Sequence, residues 1–75
     1  MQDIPKKRSL TLKGHRTSIS LEDAFWSALN DIAGKQTKSI SELVEMIDEN
    51  RGEAGLSSTI RIYILQYYRS QLAAS

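Results

Sequence analysis

No cysteine occurs in the 75 residues, and histidine and proline occur once each, as His15 and Pro5. Disulfide staples and a Cys/His metal site are thereby excluded. A chain this short buries little core by itself, so oligomerisation is the common staple left to it. The lack of cysteine also fits a reducing compartment. Long apolar runs are missing as well: the polar, basic stretch 1–13 has no signal-peptide apolar region, and no segment nears the roughly 18 apolar residues of a membrane helix. A single cytoplasmic domain with no membrane partner is expected.

An excess of charge of either sign is lacking in the total but present locally. The net charge is +1, yet Lys6, Lys7, Arg8, Lys13 and Arg16 stand against Asp3 alone in residues 1–16, a local +4. In residues 39–55 the carboxylates Glu42, Glu45, Asp48, Glu49 and Glu53 stand against Arg51 alone, a local −4. This asymmetry points to an anionic partner for the N-terminal part, with a solvated basic tail as the alternative.

Residues 1–8 hold the proline and show no periodicity, which predicts a flexible basic arm ahead of a single domain at 9–75. Ser9 to Leu12 alternates, Gly14 interrupts, and Arg16 to Leu21 alternates again, with Thr17, Ile19 and Leu21 on one side and Arg16, Ser18 and Ser20 on the other. The period then changes. Phe25, Leu29, Ile32 and Ala33 recur at helical spacing and predict a first helix over about 22–35, with Gly34 as its last residue or cap. After a polar link, Ser39-Ile40-Ser41-Glu42 has the form of a capping box and opens a second helix to about Asn50. Arg51 to Gly55 breaks it, and Ser57 or Ser58 can cap a third helix to about Leu72. That helix carries two apolar flanks, Ile60, Tyr63, Ile64, Tyr67 and Tyr68 on one and Ile62, Leu65 and Leu72 on another. So much apolar surface predicts burial against a second subunit, with the tyrosines at the margin.

A lone strand needs a mate, and the cheapest is the same strand of a second copy about a two-fold axis, with Ser9 to Leu12 either extending that ribbon or folding back as a hairpin arm. Its outer face would then show Arg16, Ser18 and Ser20 twice, on a ribbon whose width suits the DNA major groove.

With this order of elements the chain resembles the ribbon-helix-helix DNA-binding proteins, the superfamily of the Arc and MetJ repressors, from about His15 to Asn50. It is similar, more narrowly, to short bacterial domains in which a KRS-x-T-L-x-G-H-x-T-S-[IV]-S-L-E segment, here Lys7 to Glu22, precedes the first helix. A Leu-Ser-Ser-x-[IL]-R segment, here Leu56 to Arg61, opens an extra C-terminal helix. The resemblance implies a mainly α fold: one N-terminal strand in an intersubunit antiparallel ribbon, plus three helices, in an intertwined homodimer, with a tetramer contact as a further use of the third helix. It implies base contacts by Arg16, Ser18 and Ser20, where arginine can bridge guanine and serine discriminates weakly. Phosphate contacts are implied at the second helix's N-terminus, through Ser39, Ile40 and Ser41, flanked by Lys35 and Lys38 and joined by Lys13. The lysines beside a positive helix end are electrostatically misplaced unless an anion docks there. Thr17, Ile19, Leu21, Phe25, Ile60, Tyr63, Ile64 and Tyr67 are the expected dimer interface.

The expected function is therefore sequence-specific binding of double-stranded DNA by a nucleoid-associated transcriptional repressor, without enzyme activity, metal or cofactor. The rival reading is a protein-interaction module, such as an antitoxin, that holds a protein partner on its third helix. Blander roles compete residue by residue. Ser20 can cap the first helix, Arg16 can contact phosphate rather than a base, and Lys6, Lys7, Arg8 and Lys13 can follow the DNA backbone or remain solvated. His15 lacks the partners of a base or metal ligand, and the acidic residues of the second helix read as a solvated face. Phe25 and Trp26 read as core or interface.

Overall fold

Two seven-residue stretches of alternating pattern flank Lys13-Gly14, and they fold onto each other: β1 (Lys6–Leu12) and β2 (His15–Leu21) form an antiparallel hairpin. Lys13 and Gly14 have φ of 52° and 82°, the left-handed pair that a two-residue type I′ turn requires, and glycine takes the larger angle without a Cβ clash. The computed structural model describes residues 3–74. Residues 1–2 of the expected arm and residue 75 of the expected domain lie outside the described residues.

The hairpin corrects the single-strand expectation, since the mate of β2 is β1 of the same chain. Lys6, Lys7 and Arg8, expected in a flexible arm, are strand residues. The reason is local chemistry. Arg8 donates to the Leu21 carbonyl at 3.1 Å and to Asp23 at 2.6 Å, and its guanidinium lies 5.3 Å from the Trp26 ring centre. Lys6 meets the same carboxylate at 2.9 Å. A cation on each of two inward-facing positions thus ties β1 to the start of the next helix.

That helix, α1 (Asp23–Lys35), has Glu22 at its N-cap with no side-chain cap bond of its own. Asp3 supplies the acceptors instead, taking the amides of Asp23 at 3.2 Å and Ala24 at 3.1 Å. Ser20 is therefore not the cap of α1. At the other end Gly34 lies inside the helix, and Thr37 takes the left-handed turn, φ 57°. The Lys38 amide reaches the Ala33 carbonyl at 2.9 Å and the Thr37 amide the Gly34 carbonyl at 3.2 Å, a Schellman closure.

The capping box of α2 (Ile40–Glu49) is formed: Glu42 N–H donates to Ser39 Oγ at 3.0 Å and Ser39 N–H to Glu42 Oε1 at 2.8 Å. α3 (Leu56–Ala74) begins before both serines expected to cap it. Ser57 and Arg61, the polar members of the segment that opens this helix, grip β2 instead. Ser57 Oγ accepts the Ser20 amide at 3.3 Å, while Arg61 donates to the Ser20 carbonyl at 3.4 Å and to Glu22 at 3.0 Å.

The inner face of the hairpin closes over the helices. Leu10, Ile19 and Leu21 pack with Leu29, Ile32, Ala33, Leu43, Val44, Ile47, Ile60 and Ile64 into one core. Of the expected interface, Ile19, Leu21, Ile60 and Ile64 are thus buried within the single chain. Thr17 lies opposite Leu10 on the inner face but is exposed. Tyr63 accepts a hydrogen bond from Gln36 Nε2 at 2.9 Å, fastening α3 to the end of α1. The second flank of α3 stays open, with Ile62 and Leu65 each 55% exposed.

Candidate nucleic-acid interface

Directly opposed residues of an antiparallel pair share a face. The register pairs Lys7 with Ser20, Ser9 with Ser18 and Thr11 with Arg16, and all six are exposed. Their alternate neighbours Arg8, Leu10, Ile19 and Leu21 face the helices, so the outer face of the ribbon is wholly polar. It holds two cations and four hydroxyls and no carboxylate. Arg16, Ser18 and Ser20 stand together on it, as expected from the alternation of β2.

The structure brings Arg16 to the start of α2. A cleft of about 330 Å³ is lined by Ser9, Leu10, Thr11 and Arg16 of the hairpin and by Ile40 and Ser41 of α2. The amides of Ile40 and Ser41 have no acceptor among the described residues. Amides at a helix start, a guanidinium and hydroxyls form a setting that favours an anion. The Ser39 amide is different, since the capping box commits it to Glu42. That bond, then the Ser39 hydroxyl, holds the Glu42 carboxyl below its usual range. The carboxylate is thus charged and turned back on the cap, and only the next two amides are open to a ligand.

The lysines are placed otherwise than the sequence spacing implied. Lys35 sits in the last turn of α1, where the helix dipole favours a cation, so its position needs no anion. Lys38 reaches along α2 to Met46 Sδ at 3.6 Å and stands near Glu42. Lys13 faces the acidic side of α2, its amide 2.8 Å from Glu45 and its ammonium 3.6 Å from Glu49. The three expected phosphate lysines therefore do not converge on one point.

Two of the three outward positions of β1, Ser9 and Thr11, were not among the expected contacts, and the third, Lys7, was expected only in an arm that follows the DNA backbone or stays solvated. Their signal was present in the alternation Lys7 to Leu12 on the near side of a two-residue turn. It was weak because Lys-Gly is not one of the strong hairpin dipeptides. His15 is exposed beside the turn. Among the described residues no group of three or more His, Cys, Asp or Glu side chains could hold a metal ion, and no helix is long and apolar enough to cross a membrane.

A second surface lies on α3, where Phe25, Arg61, Ile62, Ile64, Leu65 and Tyr68 line an open, mostly apolar groove. Tyr67 packs edge-on against Tyr68 at 5.3 Å beside it.

Comparison with known proteins gives a consistent picture. The model of the ribbon-helix-helix domain family matches residues 5–68. Among solved structures, an uncharacterized protein from Bordetella pertussis Tohama I is similar, with a TM-score of 0.78 and 36% identity over 93% of this chain. The chain spans 60% of the length of that one. No curated protein matches.

Proposed function

We propose that this chain, which belongs to the ribbon-helix-helix domain family, binds double-stranded DNA as a sequence-specific transcriptional repressor. Domains of the family generally bind DNA in transcription regulators and are typically non-enzymatic. The observation that carries the reading is the wholly polar, exposed outer face of the ribbon, with Arg16, Ser18 and Ser20 on one strand. In the major groove Arg16 donates to a guanine edge or to a phosphate, and the serines make weaker contacts. The open amides of Ile40 and Ser41 hold a backbone phosphate in the cleft beside Arg16, with Ser39 positioning them through its cap. Lys35, Lys38 and Lys13 contribute longer-range attraction. On the acidic side of α2, Lys13 offsets the charge of Glu49 at the turn.

Homodimerisation belongs to this reading. Family members typically dimerise, and the open flank of α3, with Ile62, Leu65 and the half-buried Phe25, Tyr63 and Tyr67 near it, is the apolar surface a second copy would cover. Two copies so joined present two ribbons to two half-sites. The place of action is the cytoplasm, at the nucleoid.

A second reading has one specific observation in its favour, the apolar groove of Phe25, Ile62, Leu65 and Tyr68, which fits the docked segment of a protein partner, as in an antitoxin. The test is retention of sheared genomic DNA by the full chain at about 50 and 200 mM salt, with Arg16→Ala alongside. Retention that weakens with salt and falls in Arg16→Ala is expected, and sequencing the retained fragments then yields the site. No retention of DNA by the wild type at the lower salt overturns the DNA reading and leaves the groove as the functional surface.

A further inference from the structure

We infer that Glu45 is a positioning residue for DNA binding: it holds the hairpin turn on α2 and so keeps Arg16 beside the open amides of Ile40 and Ser41. This rests on the DNA-binding reading above and adds to it the group that fixes the ribbon relative to the helix start.

The turn brings an unmet donor to α2. In a two-residue hairpin the closing pair, here Leu12 and His15, exchanges the cross-strand bonds, and the amides between them have no cross-strand acceptor. The Lys13 amide finds its acceptor in the side chain of Glu45, 2.8 Å away and 32 residues on. The Lys13 ammonium turns to Glu49 at 3.6 Å. Lysine in a left-handed conformation, φ 52°, is disfavoured locally, and these two contacts offset that strain. They also give each of two like charges, one helical turn apart, a partner of its own. The apolar hold on this end of the hairpin is slight. Every residue from Lys13 to Thr17 is exposed, and Leu12, half-buried, is the apolar residue nearest the turn that packs on the core.

One face of α2 serves both the turn and the cleft. Ser41, Glu45 and Glu49 recur at every fourth position, so they stand in a row along the helix. Ser41 lines the cleft with Arg16 and Thr11, and one turn further on Glu45 holds Lys13. Thr11 and Arg16 are directly opposed, and only the pair Leu12 and His15 stands between them and the turn. Two groups that meet one duplex must keep a fixed separation. A turn released from Glu45 shifts Arg16 against the start of α2, with little chain between to absorb the movement.

The sign of the effect separates this role from plain electrostatics. A carboxylate near the DNA-contacting face repels phosphate, and its removal alone would tighten binding. Loss of a turn anchor acts in the opposite direction, weakening binding although the protein becomes more positive.

The experiment is fluorescence anisotropy of the full chain on a labelled duplex of about 20 base pairs at about 50 mM salt, for wild type, Glu45→Ala, Glu45→Gln, Arg16→Ala and the double variant of Arg16→Ala with Glu45→Ala, with circular dichroism of each. Glu45→Ala is expected to weaken binding about 3- to 10-fold with the fold intact. Glu45→Gln, whose amide oxygen still accepts the Lys13 N–H, binds at least as tightly as wild type. In the Arg16→Ala background the loss from Glu45→Ala shrinks to less than about 2-fold, because the residue that Glu45 positions is gone. Binding by Glu45→Ala at or above the wild-type level overturns the inference, as does an equal loss in Glu45→Gln or an undiminished loss in the double variant, and DNA binding itself then stands. Loss of the helical spectrum in Glu45→Ala makes Glu45 a residue of the fold and likewise overturns its positioning role. If the wild type does not bind the duplex, the DNA-binding reading fails and the inference falls with it.

Discussion

Arg8 and Asp23 meet at 2.6 Å across the corner where β2 runs into α1, with the arginine side chain 16% exposed and the aspartate 57%. The contact binds a residue of the first strand to the first turn of the first helix. It separates the basic N-terminal residues into two kinds. Arg8 and Lys6 are structural, and Lys7, between them, is turned to solvent.

Arg8→Ala is expected to lower the unfolding free energy by about 1–2 kcal/mol, because it removes the stacking over Trp26 and leaves the Leu21 carbonyl without its side-chain donor. Lys7→Ala, on the outer face of the same strand, is expected to change it by less than about 0.5 kcal/mol. Urea unfolding of the two variants checks the contrast, and equal losses would contradict the division.

The same contact sets a pH dependence. Arg8, then Lys6, holds the Asp23 carboxyl below its ordinary value. A depressed carboxylate stabilises the fold fully above its unfolded pKa of about 3.9, and the contribution is lost as pH falls through the lower folded value. Asp23→Asn should therefore be less stable than wild type near neutral pH, and the gap should close on acidification below about pH 3.9. A gap that stays constant with pH would show that the charge is not its source.

Thr37 occupies a left-handed position, φ 57°, that a β-branched residue tolerates poorly. Thr37→Gly is expected to raise stability by about 0.5–1 kcal/mol, the relief of strain exceeding the added freedom of the unfolded chain. Thermal unfolding reads this as a higher midpoint. A lower midpoint would mean that the threonine side chain makes a compensating contact.

The two flanks of α3 should respond differently. Ile64 is 4% exposed in the chain's own core, and Ile64→Ala is expected to cost about 2–5 kcal/mol of stability. Leu65→Ala should cost much less in a dilute monomer and should instead weaken self-association, measured by sedimentation over a concentration series. Unchanged association would remove this flank from the dimer surface.

Periodicity and capping chemistry were readable from the chain alone. The alternation of Arg16 to Leu21 placed Arg16, Ser18 and Ser20 on one face, and Ser39 with Glu42 marked the start of α2, since both rest on neighbours a few residues apart. The order of strand and helices, and the family it resembles, followed from the same local signals. What they could not decide was which groups meet across long sequence separations. That β1 folds back on β2 rests on Arg8 and Lys6 finding Asp23, and the seating of β2 on α3 rests on Ser57 and Arg61 reaching Ser20. The surroundings of Lys13, Lys35 and Lys38 were out of reach for the same reason: a surface cation settles toward the nearest carboxylate, helix end or acceptor in space, and only the folded chain determines which of these is near.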